Sequence, residues 1–248
     1  MVFGVDGGCT LRFDADSIPW SSHESKQDQW VMQVVYPGRR TPGFFVDTGA
    51  ADGVSASATF ALESHFGWLG ICVEPNTLMF ERLRANRRST LVHGCVSDMT
   101  GDADFVEASW FGRIRDHAKK SWPDGDHRRD PYLTTDLDGS PSKVTAKPCY
   151  TLDDLLRRHG APRRIDYVNI DAEFSEWQVL KDFPFGDWDV HAMSVDTKFR
   201  WQGALVDRPH AAAIRELMIR NGYRLDRKWS AEIEHDLFVK SARTPNAV

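Results

Sequence analysis

Short apolar runs alternate with amphipathic stretches along most of this chain. The runs 44–48 (FFVDT), 71–74 (ICVE), 91–96 (LVHGCV), 166–171 (DYVNID), 190–196 (VHAMSVD), 223–228 and 237–240 predict strands. Their nearly continuous apolar character predicts a parallel sheet covered on both faces. Thr151 with Asp154 reads as a capping box ahead of a helix carrying Leu152, Leu155 and Leu156, which stops at Gly160 with Pro162 beyond. Ser175 with Gln178 repeats that pattern before Trp177 and Leu180. Asp207 is expected to cap a helix buried through Ile214, Leu217 and Met218 and ended by Asn221-Gly222. From Val54 to Phe66 a helix lined with Ala and Ser is expected to lie close to the sheet.

The rhythm breaks over residues 108–148, which are rich in Gly, Pro, Asp and Arg and too long for a plain connection. Trp110, Phe111, Trp122 and Tyr132 favour a cover over a site against a disordered excursion, because disordered segments are poor in aromatics. The expected organisation is an N-terminal extension over 1–26, one domain over 27–240 containing that inserted cover, and a tail over 241–248.

Composition narrows the classes. The chain has 248 residues, 41% hydrophobic and 27% charged, which suits one folded domain. A net charge of -5, with Arg-Arg pairs scattered among acids, argues against nucleic acid as a partner. No run approaches the roughly 20 apolar residues that a membrane span requires. Cys9, Cys72, Cys95 and Cys149 show neither metal-ligand spacing nor disulfide-scaffold density, so a reducing, cytoplasmic setting is expected.

The candidate chemistry begins with FFVDTGAADG, residues 44–53. In an open parallel sheet the turn after the first strand faces the ligand crevice. A dinucleotide fingerprint would place glycines at 49, 51 and 54, but the chain has Ala51 and Val54. Asp47 and Asp52 would also repel a phosphate and attract a cation. Glu74, at the end of the second strand, is well placed to accept the hydroxyls of a ribose. A nucleoside with a positively charged appendage, such as S-adenosylmethionine, fits that combination.

The segments QDQWV (27–31), GFFVDTGAADGVSAS (43–57), GWLGICVEPN (67–76), CVSD (95–98), YTLDDLL (150–156) and RIDYVNIDAEFSEWQVLK (164–181), with IRELMIRNGYRL and HDLFV near the end, resemble the FkbM-type S-adenosylmethionine-dependent methyltransferases. The resemblance implies the class I methyltransferase (Rossmann-like) α/β fold, with a seven-stranded, mostly parallel sheet, an antiparallel last strand and helices on both faces. It implies methylation of a hydroxyl on a small-molecule acceptor. It places Asp47, Gly49, Asp52 and Gly53 around the methionine part of the cofactor, Glu74 at the ribose and Asp98 at the adenine edge, with Ala50, Asn76 and Ser97 also among the cofactor-binding residues. Asp171 and Glu173 match the acid pair after the fourth strand, and Asp196 the acid after the fifth. Four positions depart from the family pattern: Phe174 where Gly is common, Thr197 where His is common, and His23-Glu24 where Ser-Gln is expected.

An alcohol needs its proton removed as the new bond forms, by a group within hydrogen-bond reach. Asp171, Glu173 and Asp196 are the candidates, with Asp171 expected to touch cofactor or acceptor and Glu173 the preferred base. The same three carboxylates could instead hold a divalent cation, a reading not favoured. A nicotinamide-dependent oxidoreductase and a non-catalytic S-adenosylmethionine-binding protein stay open as alternatives. Amino-group methylation of bases is disfavoured, since the slot after the fourth strand reads Asp-Ala-Glu-Phe.

Overall fold

The computed structural model describes residues 18, 20, 26–116, 135–136, 138–201 and 203–241. Cys9 and His23-Glu24, and in the expected cover Trp122 and Tyr132, lie outside the described residues, as do residues 242–248.

The apolar runs assemble one large sheet. Its strands are β1 (Phe44–Thr48), β2 (Leu69–Val73), β3 (Thr90–Val92), β4 (Arg164–Ile170), β5 (Asp189–Asp196), β6 (Tyr223–Leu225) and β7 (His235–Lys240), in the spatial order β6-β7-β5-β4-β1-β2-β3. The pairs β1/β2, β2/β3, β1/β4 and β4/β5 are parallel, whereas β7 runs antiparallel to both β5 and β6. The sheet is therefore mixed. Successive residues of its central strands feed opposite faces: Phe45, Cys72, Tyr167 and Ala192 enter one apolar cluster, and Val46, Ile71, Val168 and Met193 the other. Burial on both faces explains why these strands read as continuous apolar runs.

Chain order reverses at β1, which has β2 on one side and β4 on the other. The carboxyl ends of β1 and β4 consequently open onto a crevice.

Four local expectations need correction. The run 91–96 does not form one strand. It breaks at Gly94, where an added Cβ would lie 2.5 Å from the Pro148 carbonyl oxygen. That close approach passes Cys95–Ser97 to a second, four-stranded sheet, where Cys95 faces Cys149 on the strand Lys143–Thr151. The expected helix from Val54 to Phe66 shrinks to Phe60–Ser64, because Ala51, Gly53 and Ala56 take positive φ and Arg87 gathers the loop. Its guanidinium donates to Gly53 O at 3.1 Å, Ser57 Oγ at 3.2 Å and Thr59 Oγ1 at 3.0 Å.

Asp207 caps nothing. It ends a β-hairpin (Lys198–Trp201 with Ala204–Asp207) and receives both terminal nitrogens of Arg215, at 2.6 and 2.7 Å. The helix Ala211–Arg220 starts after His210, whose φ is 70°. Ser175 precedes the helix Glu176–Lys181 without a side-chain cap; Glu176 Oε1 instead accepts the Ala172 N–H at 3.0 Å. The Thr151 cap does form, with Oγ1 accepting the Asp154 N–H at 3.1 Å. Behind it Leu152, Leu155 and Leu156 are fully buried, each stabilising the fold by roughly 1.5–3 kcal/mol.

Both ends of the 108–148 segment join the second sheet. Arg113–Ile114 pairs with Phe105 and Val106, and Lys143–Thr151 pairs with Gly101–Glu107.

Candidate active site

The turn after β1 is locked by backbone. Gly49 and Ala50 both donate to the Val73 carbonyl, at 2.9 and 3.0 Å, and Asp171 N donates to Thr48 O at 3.1 Å. Gly49 has φ +83°, and a Cβ there would fall 1.9 Å from the Asp171 carbonyl oxygen. Only glycine lets the turn close against the end of β4. Asp47 and Asp171 are thereby delivered to the same end of the sheet.

Asp47 is buried and fully engaged. Its Oδ2 accepts Thr59 Oγ1–H at 2.6 Å and its Oδ1 accepts Asn169 Nδ2–H at 2.9 Å. Burial still pushes its carboxyl above the ordinary value, against the help of Thr59, Arg87 and Asn169. Glu74 follows β2 directly and is also buried. Its oxygens accept the N–H groups of Ala51, at 2.8 Å, and Asn76, at 2.7 Å. Burial outweighs those bonds and pushes Glu74 up to about 7.

These residues line one cleft with Gln27, Thr48, Gly49, Ala50 and Asn76 on one side and Asp171, Glu173, Glu234 and His235 on the other. Phe105, Trp110, Phe111 and Ile114 close it from the second sheet. Asp136 Oδ1 ties that wall down by accepting from Ser109 N and Asn76 Nδ2, both at 3.1 Å. Among the described residues the lining holds five carboxylates and no Lys or Arg.

Four predicted cofactor residues stand outside the lining. Asp52 closes its own turn, accepting from Val54 N at 2.9 Å and Ser55 N at 2.7 Å. Gly53 packs against Leu83 and Arg87. Ser97 donates to Asp98, whose other oxygen holds Lys181 Nζ at 2.8 Å. The residues that reach the cleft from this strand are Gly94, Cys95 and Val96.

The acids after β4 and β5 gather around a cation that the sequence did not announce. Arg208 places Nη2 2.5 Å from Asp196 Oδ2 and Nη1 3.2 Å from Glu173 Oε2. Burial raises Asp196 well above its ordinary value and raises Glu173 too, with Arg208 opposing both shifts. Glu176, pushed up to about 7 by burial, joins the same group. Glu173 and Phe174 sit at φ 43° and 72°, backbone that side-chain-bearing residues seldom adopt. The Phe174 ring is held between two guanidinium groups, Arg113 at 4.7 Å and Arg208 at 4.5 Å.

The carboxylates that lie close enough to share a cation are Asp171, Glu176 and Asp196, with oxygens within 4.8 Å of one another, rather than Asp171, Glu173 and Asp196. Arg208, in contact with Asp196, already supplies the positive charge of that cluster. Glu173, expected as the base, is committed to the same guanidinium.

Among the nine histidines, His93 stacks on Phe80 at 4.5 Å and His191 lies against Tyr36, both away from the cleft lining, whereas His117 and His127 fall outside the described residues. His235 and Gln27 do reach the cleft. Both stand in segments that carried the family resemblance, yet neither was given a role. Gln27 is 2% exposed, and its Oε1 has no hydrogen-bond partner among the described residues. No pattern pointed to Arg208, which arrives from beyond a hairpin.

Fold and cleft together define an α/β protein with a cleft over the carboxyl ends of a mixed sheet. A family model described as the methyltransferase FkbM domain matches residues 47–225, and the chain belongs to that family. Comparison with curated proteins gives no match, and comparison with solved structures gives none. No helix among the described residues is long and apolar enough to cross a membrane.

Proposed function

We propose that this protein transfers the methyl group of S-adenosylmethionine to a hydroxyl of a small-molecule acceptor, on a class I methyltransferase fold. The observation that carries the reading is the charge of the cleft, five carboxylates with no Lys or Arg among the described lining residues. A donor whose sulfonium and ammonium outweigh its one carboxylate is attracted there, whereas a pyrophosphate would meet an excess of acids. The strand order with β7 antiparallel, and the switch point beside β1, support the same fold assignment.

The residues present fit such a donor. Gln27 Oε1 is a buried acceptor with no partner among the described residues, suited to an ammonium group. Glu74 keeps unused lone pairs beyond its two backbone bonds, suited to ribose hydroxyls. When bound, S-adenosylmethionine supplies an electrophilic methyl group. The chain's own work is alignment: Gly49 and Ala50 fix the turn, Asp47 is held by Thr59 and Asn169, and Trp110 and Phe111 offer an apolar surface to the acceptor.

Calorimetry with S-adenosylmethionine, S-adenosylhomocysteine and NAD in turn tests the donor. Mass spectrometry of a panel of hydroxyl-bearing compounds, after incubation with the protein and deuteriomethyl donor, then tests the transfer. Heat from the two sulfur nucleosides and a labelled ether product are expected. Tight NAD uptake with neither sulfur nucleoside bound would return the oxidoreductase reading, and donor binding with every acceptor assay left unchanged by Asp171→Asn and Glu173→Gln would favour a non-catalytic binder.

A further inference from the structure

We infer that His235, oriented by Asp171, is the general base that takes the proton from the acceptor hydroxyl. The inference rests on the methyl-transfer reading above and assigns that reaction's missing proton acceptor.

The other acids on the cleft wall are committed. Asp47 holds Thr59 and Asn169, and Glu74 holds two backbone N–H groups. Glu173 is paired with Arg208, and Glu234 lies 3.8 Å from Arg200. A carboxylate oxygen already facing a guanidinium is not free to receive the acceptor's proton. What is left is Asp171 and His235.

Their placement suits the acceptor side. His235 opens β7 and lies directly opposite Asp196, the last residue of β5, so the antiparallel strand brings it to the carboxyl ends of its parallel neighbours. The residue is 7% exposed, and its Nε2 has no hydrogen-bond partner among the described residues. That nitrogen lies 3.6 Å from Asp171 Oδ2, longer than a hydrogen bond, and such contacts in ligand-free sites often tighten once substrate binds. The charged groups around the imidazole are Asp171, Asp196 with Arg208, Glu234, and Lys198, whose Nζ donates to the His235 carbonyl at 3.0 Å and to Asp236 at 2.7 Å. Burial works against the Asp171 carboxylate, yet His235 and Arg208 hold it below its ordinary value, so it stays ionised at neutral pH.

An ionised Asp171 beside Nε2 favours the tautomer with hydrogen on Nε2 and leaves the lone pair on Nδ1. In the step itself, the acceptor O–H proton passes to Nδ1 as an oxygen lone pair forms the C–O bond to the methyl group. The C–S bonding pair returns to sulfur, giving a neutral thioether and an imidazolium facing Asp171. Charge and atoms balance without a further reagent.

The test is long-range proton–nitrogen NMR on the full wild-type chain saturated with S-adenosylhomocysteine, with the His235 signals assigned through the backbone so that the tautomer itself is read without a variant. The expected result is a neutral ring carrying hydrogen on Nε2 and none on Nδ1, and loss of that preference in Asp171→Asn. Hydrogen on Nδ1 of the neutral ring overturns the assignment. So does a tautomer indifferent to Asp171→Asn. If S-adenosylhomocysteine gives no binding heat, the methyl-transfer reading itself fails and takes this inference with it. Bound nucleoside with the wrong tautomer removes the base assignment alone.

Discussion

Arg208 Nη2 and Asp196 Oδ2 lie 2.5 Å apart at the carboxyl end of β5, with both side chains at least nine-tenths withdrawn from solvent. Breaking a buried pair from one side leaves an uncompensated charge, which typically costs about 3–5 kcal/mol. Arg208→Met is therefore expected to lower unfolding free energy by about that much in urea titrations. Arg208→Met combined with Asp196→Asn should recover part of the loss. A single variant as stable as the wild type would show that the guanidinium does not hold this end of the sheet.

The two glycines Gly49 and Gly160 separate strain from collision. Both have positive φ, +83° and +64°, but a Cβ on Gly160 meets nothing within 4 Å, while one on Gly49 lands 1.9 Å from the Asp171 carbonyl. Gly160→Ala should lose only about 1 kcal/mol, the left-handed penalty alone. Gly49→Ala must push β4 away from the turn after β1, and should abolish nucleoside binding in calorimetry even where the protein still folds. Equal behaviour of the two variants would contradict the packing described here.

The elements that could be read from the chain are those whose signal is local. The strands of the main sheet announce themselves because both faces are buried, and Thr151 caps its helix through a residue only three positions away. The loop after Gly53 misled because its Ala and Ser residues favour helix locally, while the guanidinium that unwinds it comes from Arg87, more than 25 residues on. The site divides the same way. Asp47, Gly49 and Glu74 lie in the cleft as their strand ends imply. Asp52 and Asp98, equally acidic and equally near strand ends, are turned to their own turn and to Lys181. The partner that decides Glu173 is Arg208, reached only through tertiary folding.

Glu176 makes stability depend on pH in a defined direction. Burial raises its folded value from 4.5 to about 7 against the pull of Arg208. The folded state thus binds a proton that the unfolded chain has already released. Its contribution is complete below about pH 4.5 and is lost as pH rises through about 7. Glu176→Gln mimics the protonated form and keeps an oxygen for the Ala172 N–H. Relative to wild type it should be near neutral at about pH 4.5 and more stable by up to about 3 kcal/mol above about pH 8. Melting temperatures across that range decide it, and a difference that does not change with pH would refute the assignment.

Glu74 imposes the opposite dependence on ligand binding. Burial keeps its carboxyl at about 7 in the free cleft, so a large fraction is neutral near neutrality. Ribose hydroxyls and a nearby positive charge both favour the carboxylate, and donor binding must then release a proton. Affinity for S-adenosylmethionine should climb with pH by up to about tenfold per unit below about pH 7 and level off above it. Titration calorimetry in two buffers of different ionisation heat counts the released proton directly. In Glu74→Gln the proton release should vanish and binding should weaken, since an amide cannot accept from Ala51, Asn76 and a ribose together. Donor affinity that stays flat with pH in the wild type, with equal heats in both buffers, would mean that Glu74 is not the group meeting the nucleoside.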